Sequence, residues 1–327
     1  MLVVAVVTHW PEDLIVTGRV SSMVNTTTDL GRRTLLRRSV GYAGGVYLLA
    51  RGASWEQAAA LWAADDATPQ LRLGLVTDLH YADKAPSGTR HYRETIDKLA
   101  EAAGQFALAK PKFVVELGDL IDAADSVAVE QGYLKRIQRE FSQIACPQHC
   151  VLGNHCVDTL TKREFLDGVS QPKSFYGFDA GGYHFVVLDA CFRSDGRPYQ
   201  RKNFDWTDPN LPAHEVEWLK ADLAATDKKT VVFAHQRLDP AGTYSVRNAA
   251  EVRRVLEESH KVLAVFQGHS HKNHHALVNG IHYCTLVGMV EGTGKENNGY
   301  AILDLLPGDV LRLSGYRRQQ KYQWGAK

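Results

Sequence analysis

The chain has no surplus charge of either sign. Lys plus Arg total 38 and Asp plus Glu total 37 in 327 residues, so no global field draws it to nucleic acid or to an anionic membrane. A basic groove of the kind a nuclease needs is not evident, and small or neutral substrates stay open. Cysteine is scarce and unpatterned. Cys146, Cys150, Cys156, Cys191 and Cys284 form no CxxC pair and leave one over by arithmetic, which excludes a zinc ribbon or a thioredoxin-type site. Free thiols are expected, although Cys146 and Cys150 stand close enough to bridge in an oxidising compartment. Long apolar runs are missing too. The uncharged stretch Ser39 to Ala50 covers twelve residues, short of the roughly 20 that a helix needs to span a bilayer. Repeats and low-complexity linkers are absent, so one α/β catalytic domain over residues 67–327 is the economical reading.

Residues 1–53 read differently. Arg32-Arg33, Leu35-Leu36 and Arg37-Arg38 precede that uncharged run, and small residues follow near Gly52 and Ala53. Basic, then apolar, then small is the order of a secretory leader. The arginine pair resembles a twin-arginine export signal, with Gly31 where Ser or Thr usually stands. The expectation is an N-terminal extension that directs export to the periplasm or the exterior. A surface amphipathic helix on a cytoplasmic protein is the alternative.

From residue 67 onward, short apolar runs alternate with amphipathic stretches. Residues 71–77, 112–118, 149–153, 230–235 and 262–268 have the pattern of buried strands. Residues 91–108, 127–144, 214–226 and 248–260 carry helical periodicity. Turns at Gly181-Gly182 and Asn279-Gly280 predict two hairpins.

Each of the five strands runs into a polar residue: Asp78 and His80, Asp119, Asn154 and His155, His235, and His269 with His271. In open α/β sheets, ligands bind at the carboxyl ends of strands. The i, i+2 spacings of Asp78/His80 and His269/His271 put both side chains on one face of an extended segment. Gly118 and Gly153 permit sharp turns and close backbone approach beside the ligands that follow. A donor set of Asp, Asn and His without Cys favours Mn, Fe or Zn over copper(I) or iron–sulfur clusters. Seven donors exceed the needs of one ion, whereas two ions about 3.5–4 Å apart would use them all.

The ordered motifs DxH (78–80), GD (118–119), GNH (153–155), a lone His235 and GHxH (268–271) resemble the calcineurin-like metallophosphoesterase family over residues 70–285. The resemblance implies a four-layer α/β sandwich of two mixed β-sheets flanked by helices. It also implies two divalent ions, Mn, Fe or Zn. One would be held by Asp78, His80, Asp119 and His271, and the other by Asp119, Asn154, His235 and His269. Asp119 would bridge the pair, and His155 would be a catalytic histidine near the leaving group rather than a ligand. The implied chemistry is hydrolysis of a small phosphate mono- or diester by a hydroxide bridging the ions. Cys156 departs from the family, which usually has an acid there. Asp122 occupies the position where purple acid phosphatases carry tyrosine, so an iron-tyrosinate site is not expected. Residues 76–99 are also similar to manganese-dependent ADP-ribose/CDP-alcohol diphosphatases, although those enzymes have glutamine at the place of His80. A nucleoside diphosphate derivative is therefore the alternative substrate.

Around this set, Asn154, His91, Arg237 and His274 are candidate substrate contacts. His91 is placed at the N-terminus of a helix, where an anion is favoured. His274 and His275 otherwise read as a solvated loop, and His184 and His282 as packing residues in hairpins. Two other classes are weaker. A non-catalytic scaffold of the same fold should have lost donors, and none is lost. A metallo-β-lactamase-like HxHxDH motif fails because Asn273 stands where Asp is required.

Overall fold

The computed structural model describes residues 67–240 and 242–325; the arginine pair and its apolar run lie outside them. Among the described residues, twelve strands form two six-stranded mixed sheets. The first sheet takes β1 (Leu71–Val76), β2 (Phe113–Glu116), β3 (Gln148–Cys150), β10 (Gly299–Leu306), β11 (Val310–Arg317) and β12 (Tyr322–Trp324), in the order β12-β11-β10-β1-β2-β3. The second takes β4 (Tyr176–Ala180), β5 (Tyr183–Val187), β6 (Thr230–Phe233), β7 (Val262–Gln267), β8 (His274–Val278) and β9 (Ile281–Thr285), in the order β4-β5-β6-β7-β9-β8. Within them β1, β2 and β3 run parallel, as do β5, β6, β7 and β9.

Burial on both faces explains the strand sequences. Leu73, Leu75, Phe113 and Val115 meet Phe185, Val187, Val231, Phe233 and Phe266 in the layer between the sheets. Val76 and Val114 face the other way, against α1 (Thr95–Ala109) and α2 (Val127–Phe141), through Leu99, Phe106, Leu134 and Ile137. On the far side Val186, Val232 and Val265 pack on α4 (Ala213–Ala225) and α5 (Ala249–Glu258), through Leu219, Leu223, Val252 and Leu256. With both faces covered, parallel strands read as continuous apolar runs rather than as alternation. A short helix, α3 (Lys162–Gly168), begins at a capping box in which Thr161 and Glu164 satisfy each other's backbone amides. The result is the four-layer sandwich that the family resemblance implied.

The expected strands and helices are present with ends shifted by up to four residues, and both hairpins form at Gly181-Gly182 and Asn279-Gly280. Three differences matter. The sequence reading placed no strand after residue 285, whereas β10 pairs antiparallel with β1 and carries β11 and β12 outward. His274 and His275 begin strand β8 and do not form a solvated loop. The His275 ring stacks on Trp324, and its Nε2 lies 3.0 Å from Nδ1 of His282. The stretch beginning at His91 is a single 3-10 turn, and the α-helix starts only at Thr95. All five cysteines are unpaired, so Cys146 and Cys150 do not bridge.

Candidate metal centre

The ends of β1, β2, β3, β6 and β7 converge at the seam between the sheets. The chain leaves β1, β2 and β7 abruptly there: Asp78, His80, Asp119, His269 and His271 all have φ between 45° and 69°. Left-handed backbone costs an L-residue of order 1–3 kcal/mol and persists where the surroundings over-determine it. Five such residues at one seam mark strain concentrated on a site. Glycine supplies the necessary room. A Cβ on Gly118, itself at φ 104°, would lie 2.4 Å from Nδ1 of His235. One on Gly153 would lie 2.2 Å from the carboxylate of Asp119.

The side chains so placed are buried and oriented. Asp78, His80, Asp119, Asn154 and His235 are each at most 1% exposed. His235 Nδ1–H donates to the carbonyl of Leu117 at 2.9 Å. His271 Nδ1–H donates to Glu291 at 2.6 Å. Those bonds fix both tautomers and turn the bare Nε2 atoms inward. His235 Nε2 then stands 3.1 Å from Asp119 Oδ2, and His271 Nε2 stands 3.2 Å from Asp78 Oδ1. His80 Nε2 is 3.1 Å from His271 Nε2 and 3.4 Å from Asp119 Oδ2.

With the imidazoles neutral, lone pairs face lone pairs in this buried space, an arrangement that a proton or a bound metal ion relieves. His80 Nδ1, Asn154 Oδ1, His235 Nε2 and His269 Nε2 are buried without hydrogen-bond partners. Unpaired buried acceptors are costly; of these, His235 Nε2 faces Asp119 in the seam, whereas His80 Nδ1 lies on the Asp122 side of its ring. Asp78, His80 and His271 have ligating atoms grouped within 4.8 Å of one another, and so do Asp119, His235 and His269. This donor set fits divalent cations.

Charge follows the same logic. Burial alone would raise the Asp78 and Asp119 carboxyls, but His271 beside the first and His235 beside the second hold both well below the usual range. Burial and the neighbouring His235 push His269 down to about 3, which keeps it a neutral donor. Burial opposes protonation of His271, yet Asp78 and Glu291 outweigh it and raise the imidazole to about 9.

His155 stands apart. Its side chain is 21% exposed, its amide donates to Asp119 at 2.8 Å, and its Nδ1–H donates to Asp122 at 2.5 Å. Asp122 also receives Lys84 Nζ at 2.7 Å. Burial works against ionisation of Asp122, but the imidazoles of His155 and His80 hold its carboxyl far down. Nε2 of His155 is thus left free beside the centre.

The remaining candidates have partners outside the donor set. Arg237, at 7% exposure, is paired with Asp239 and lies 2.7 Å from Nδ1 of His274, so both expected substrate contacts belong to one internal network. His91 pairs with Glu94 at 3.0 Å. Sequence reading missed Asp122 and Glu291 as orienting carboxylates. A GDxxD spacing (118–122) was the available signal for Asp122. For Glu291 there was none, because it joins His271 from a separate loop.

A model described as calcineurin-like phosphoesterase matches residues 71–273, more than half of the chain. The chain belongs to the calcineurin-like phosphoesterase family, and so to the hydrolases that act on phosphoric esters. Its relatives include a manganese-dependent ADP-ribose/CDP-alcohol diphosphatase of Xenopus laevis, 23% identical over 72% of this chain and 85% of the relative. A protein of the same description from Arabidopsis thaliana is 24% identical over 71% of this chain and 90% of the relative. In fold the chain is similar to a dimetal phosphatase from Danio rerio, with a TM-score of 0.71 and 22% identity, covering 80% of this chain and all of the other.

Proposed function

We propose that the chain is a dinuclear-metal phosphoesterase that hydrolyses small phosphate mono- or diesters. The observation that carries this reading is Asp119 Oδ2, which faces His80 Nε2 of one donor group and His235 Nε2 of the other. Asp78, His80, Asp119 and His271 would hold one ion. Asp119, Asn154, His235 and His269 would hold the second, with Asp119 shared. Bound divalent ions supply Lewis-acid polarisation of phosphate and lower the pKa of water toward neutrality. The protein's own part is positional. Asp122 fixes the His155 ring so that Nε2–H is presented to the oxygen that departs, a general-acid role. Glu291 and the Leu117 carbonyl keep His271 and His235 aimed inward.

A nucleoside diphosphate derivative is the second reading. It is supported by relatives described as ADP-ribose/CDP-alcohol diphosphatases that match along 85–90% of their own length. The same description favours manganese over iron or zinc. The test is a panel of p-nitrophenyl phosphate, bis-p-nitrophenyl phosphate, ADP-ribose and a cyclic nucleotide, each with Mn, Fe, Zn and Mg. No turnover with any metal would overturn the first reading. Turnover confined to the model esters would overturn the second.

Residues 1–53 are assigned as an N-terminal extension with a twin-arginine export signal, supported by the order of basic, apolar and small residues. Among the described residues no helix is long and apolar enough to cross a membrane. N-terminal sequencing of natively produced protein tests the assignment; Arg32-Arg33 retained in the mature chain would reject it.

A further inference from the structure

Two loops outside the metal ligands carry aromatic rings to the edge of the centre. Residues 190–211, between β5 and α4, place Phe204 with its ring centroid 5.6 Å from that of His155. Residues 236–248, between β6 and α5, place Tyr244 with its ring 5.8 Å from His269. The Trp206 ring centroid lies 5.9 Å from that of Tyr244, at an interplanar angle of 41°. Trp206 is 46% exposed and Tyr244 37%. Large apolar side chains left in water beside a polar centre are features that packing alone does not require.

We infer that Trp206 and Tyr244 form a stacking platform for the base of a nucleotide whose phosphates sit at the metal centre. The inference rests on the phosphoesterase reading and narrows its substrate to nucleoside phosphate derivatives. Three features select a base over an alkyl chain or lipid tail. The exposed surface is made of two planar rings, and π faces hold any base without reading its edge. Polar groups flank Trp206 in the chain, with Asp205 paired to Thr207 and Asp208 facing Arg247, chemistry that suits the polar edges of a base better than an alkyl chain. Tyr244 also lies one ring spacing from His269 and Trp206 one ring spacing from Tyr244, so both rings are within the reach of a base joined through a ribose to one or two phosphates at the centre.

The experiment compares two non-hydrolysable probes on manganese-loaded protein by calorimetry: α,β-methylene-ADP, and methylenediphosphonate, which has the same head and no nucleoside. Stacking of one base corresponds to about 5- to 150-fold in affinity, so the wild type is expected to prefer the nucleotide by that factor. Trp206→Ala and Tyr244→Ala should each collapse most of the preference, and Trp206→Phe should retain most of it. Both side chains are exposed, so the variants should keep the wild-type melting temperature. Equal affinity for the two probes in the wild type would overturn the inference, and so would an undiminished preference in both alanine variants. Failure of the phosphoesterase reading registers separately, as absence of bis-p-nitrophenyl phosphate turnover by the same preparation.

Discussion

The two sheets bring unlike chemistry to their common seam. The first contributes Asp78, His80, Asp119, Asn154 and His155, which include both buried carboxylates of the donor set. The second contributes His235, His269 and His271, which are imidazoles alone. Negative charge, and with it the demand for cations, is therefore built on one side, while the other presents imidazoles, of which burial and His235 hold His269 down to about 3 and Asp78 and Glu291 raise His271 to about 9. Neither sheet alone holds a site. The strained backbone is shared in the same way, with Asp78, His80 and Asp119 on one side and His269 and His271 on the other.

The sharpest way to break that contrast is to remove one donor from each side. Asp119→Asn on the first sheet should release both ions and bring hydrolysis below detection. His269→Ala on the second should release one ion and leave the other in place. Metal analysis by mass spectrometry at saturating manganese decides it, and equal metal loss in the two variants would end the bridging assignment.

His155 belongs to the first sheet but stands outside the donor set, so its loss should spare the metals. His155→Ala is expected to lose about 10²–10⁴-fold in kcat on an alkyl ester, whose leaving oxygen needs a proton, and much less on p-nitrophenyl phosphate. The same factor lost on both substrates would instead make His155 an orienting group. Loss of metal would put it among the ligands.

A smaller effect separates the carboxylates that coordinate from those that orient. Glu291→Gln leaves every proposed ligand intact but weakens the hold on His271 Nδ1–H. Affinity for the ion near Asp78 should fall about 10- to 100-fold, with the ion near His235 unaffected. A stepwise manganese titration reads the two sites apart, and a uniform weakening of both would contradict the division of donors.

The smallest prediction concerns how the sheets are joined away from the site. His149 of β3 stacks on Phe178 of β4, with centroids 4.1 Å apart, and its Nδ1 lies 2.8 Å from the Tyr176 hydroxyl. Burial depresses its imidazole to about 4 from an ordinary 6.5. The fold therefore favours neutral His149. Its contribution to stability is complete above pH 6.5 and is lost as pH falls toward 4. The loss is at most about 3 kcal/mol, less after allowance for partial solvent access. Urea midpoints of wild type and His149→Gln should converge as pH drops from 7 to 4. Parallel curves would show that this histidine does not sense the pH.

Much of this was legible along the chain. Strand runs such as LRLGLV and VLAVFQ declared themselves because parallel strands buried on both faces must be continuously apolar. The donors declared themselves because each follows such a run, and Gly118 and Gly153 marked where backbone and ligands crowd. The place of β10 beside β1 was not legible, since it comes from an antiparallel return across more than 200 residues rather than from local pattern; β11 and β12 are added outside it by pairing with their chain neighbours. The partners of Arg237 were not legible for a related reason: only folding sets it against both Asp239 and His274.

What the sequence determined by itself is thus the inventory: residue types, their order, and the strands that carry them, all set by local periodicity and spacing. What tertiary structure alone decided is orientation. Which nitrogen of His271 or His235 faces the seam depends on Glu291 and the Leu117 carbonyl, and which ring is free to donate depends on Asp122. Hydrogen-bond direction is a property of atoms brought together from distant segments, and no spacing within one segment encodes it.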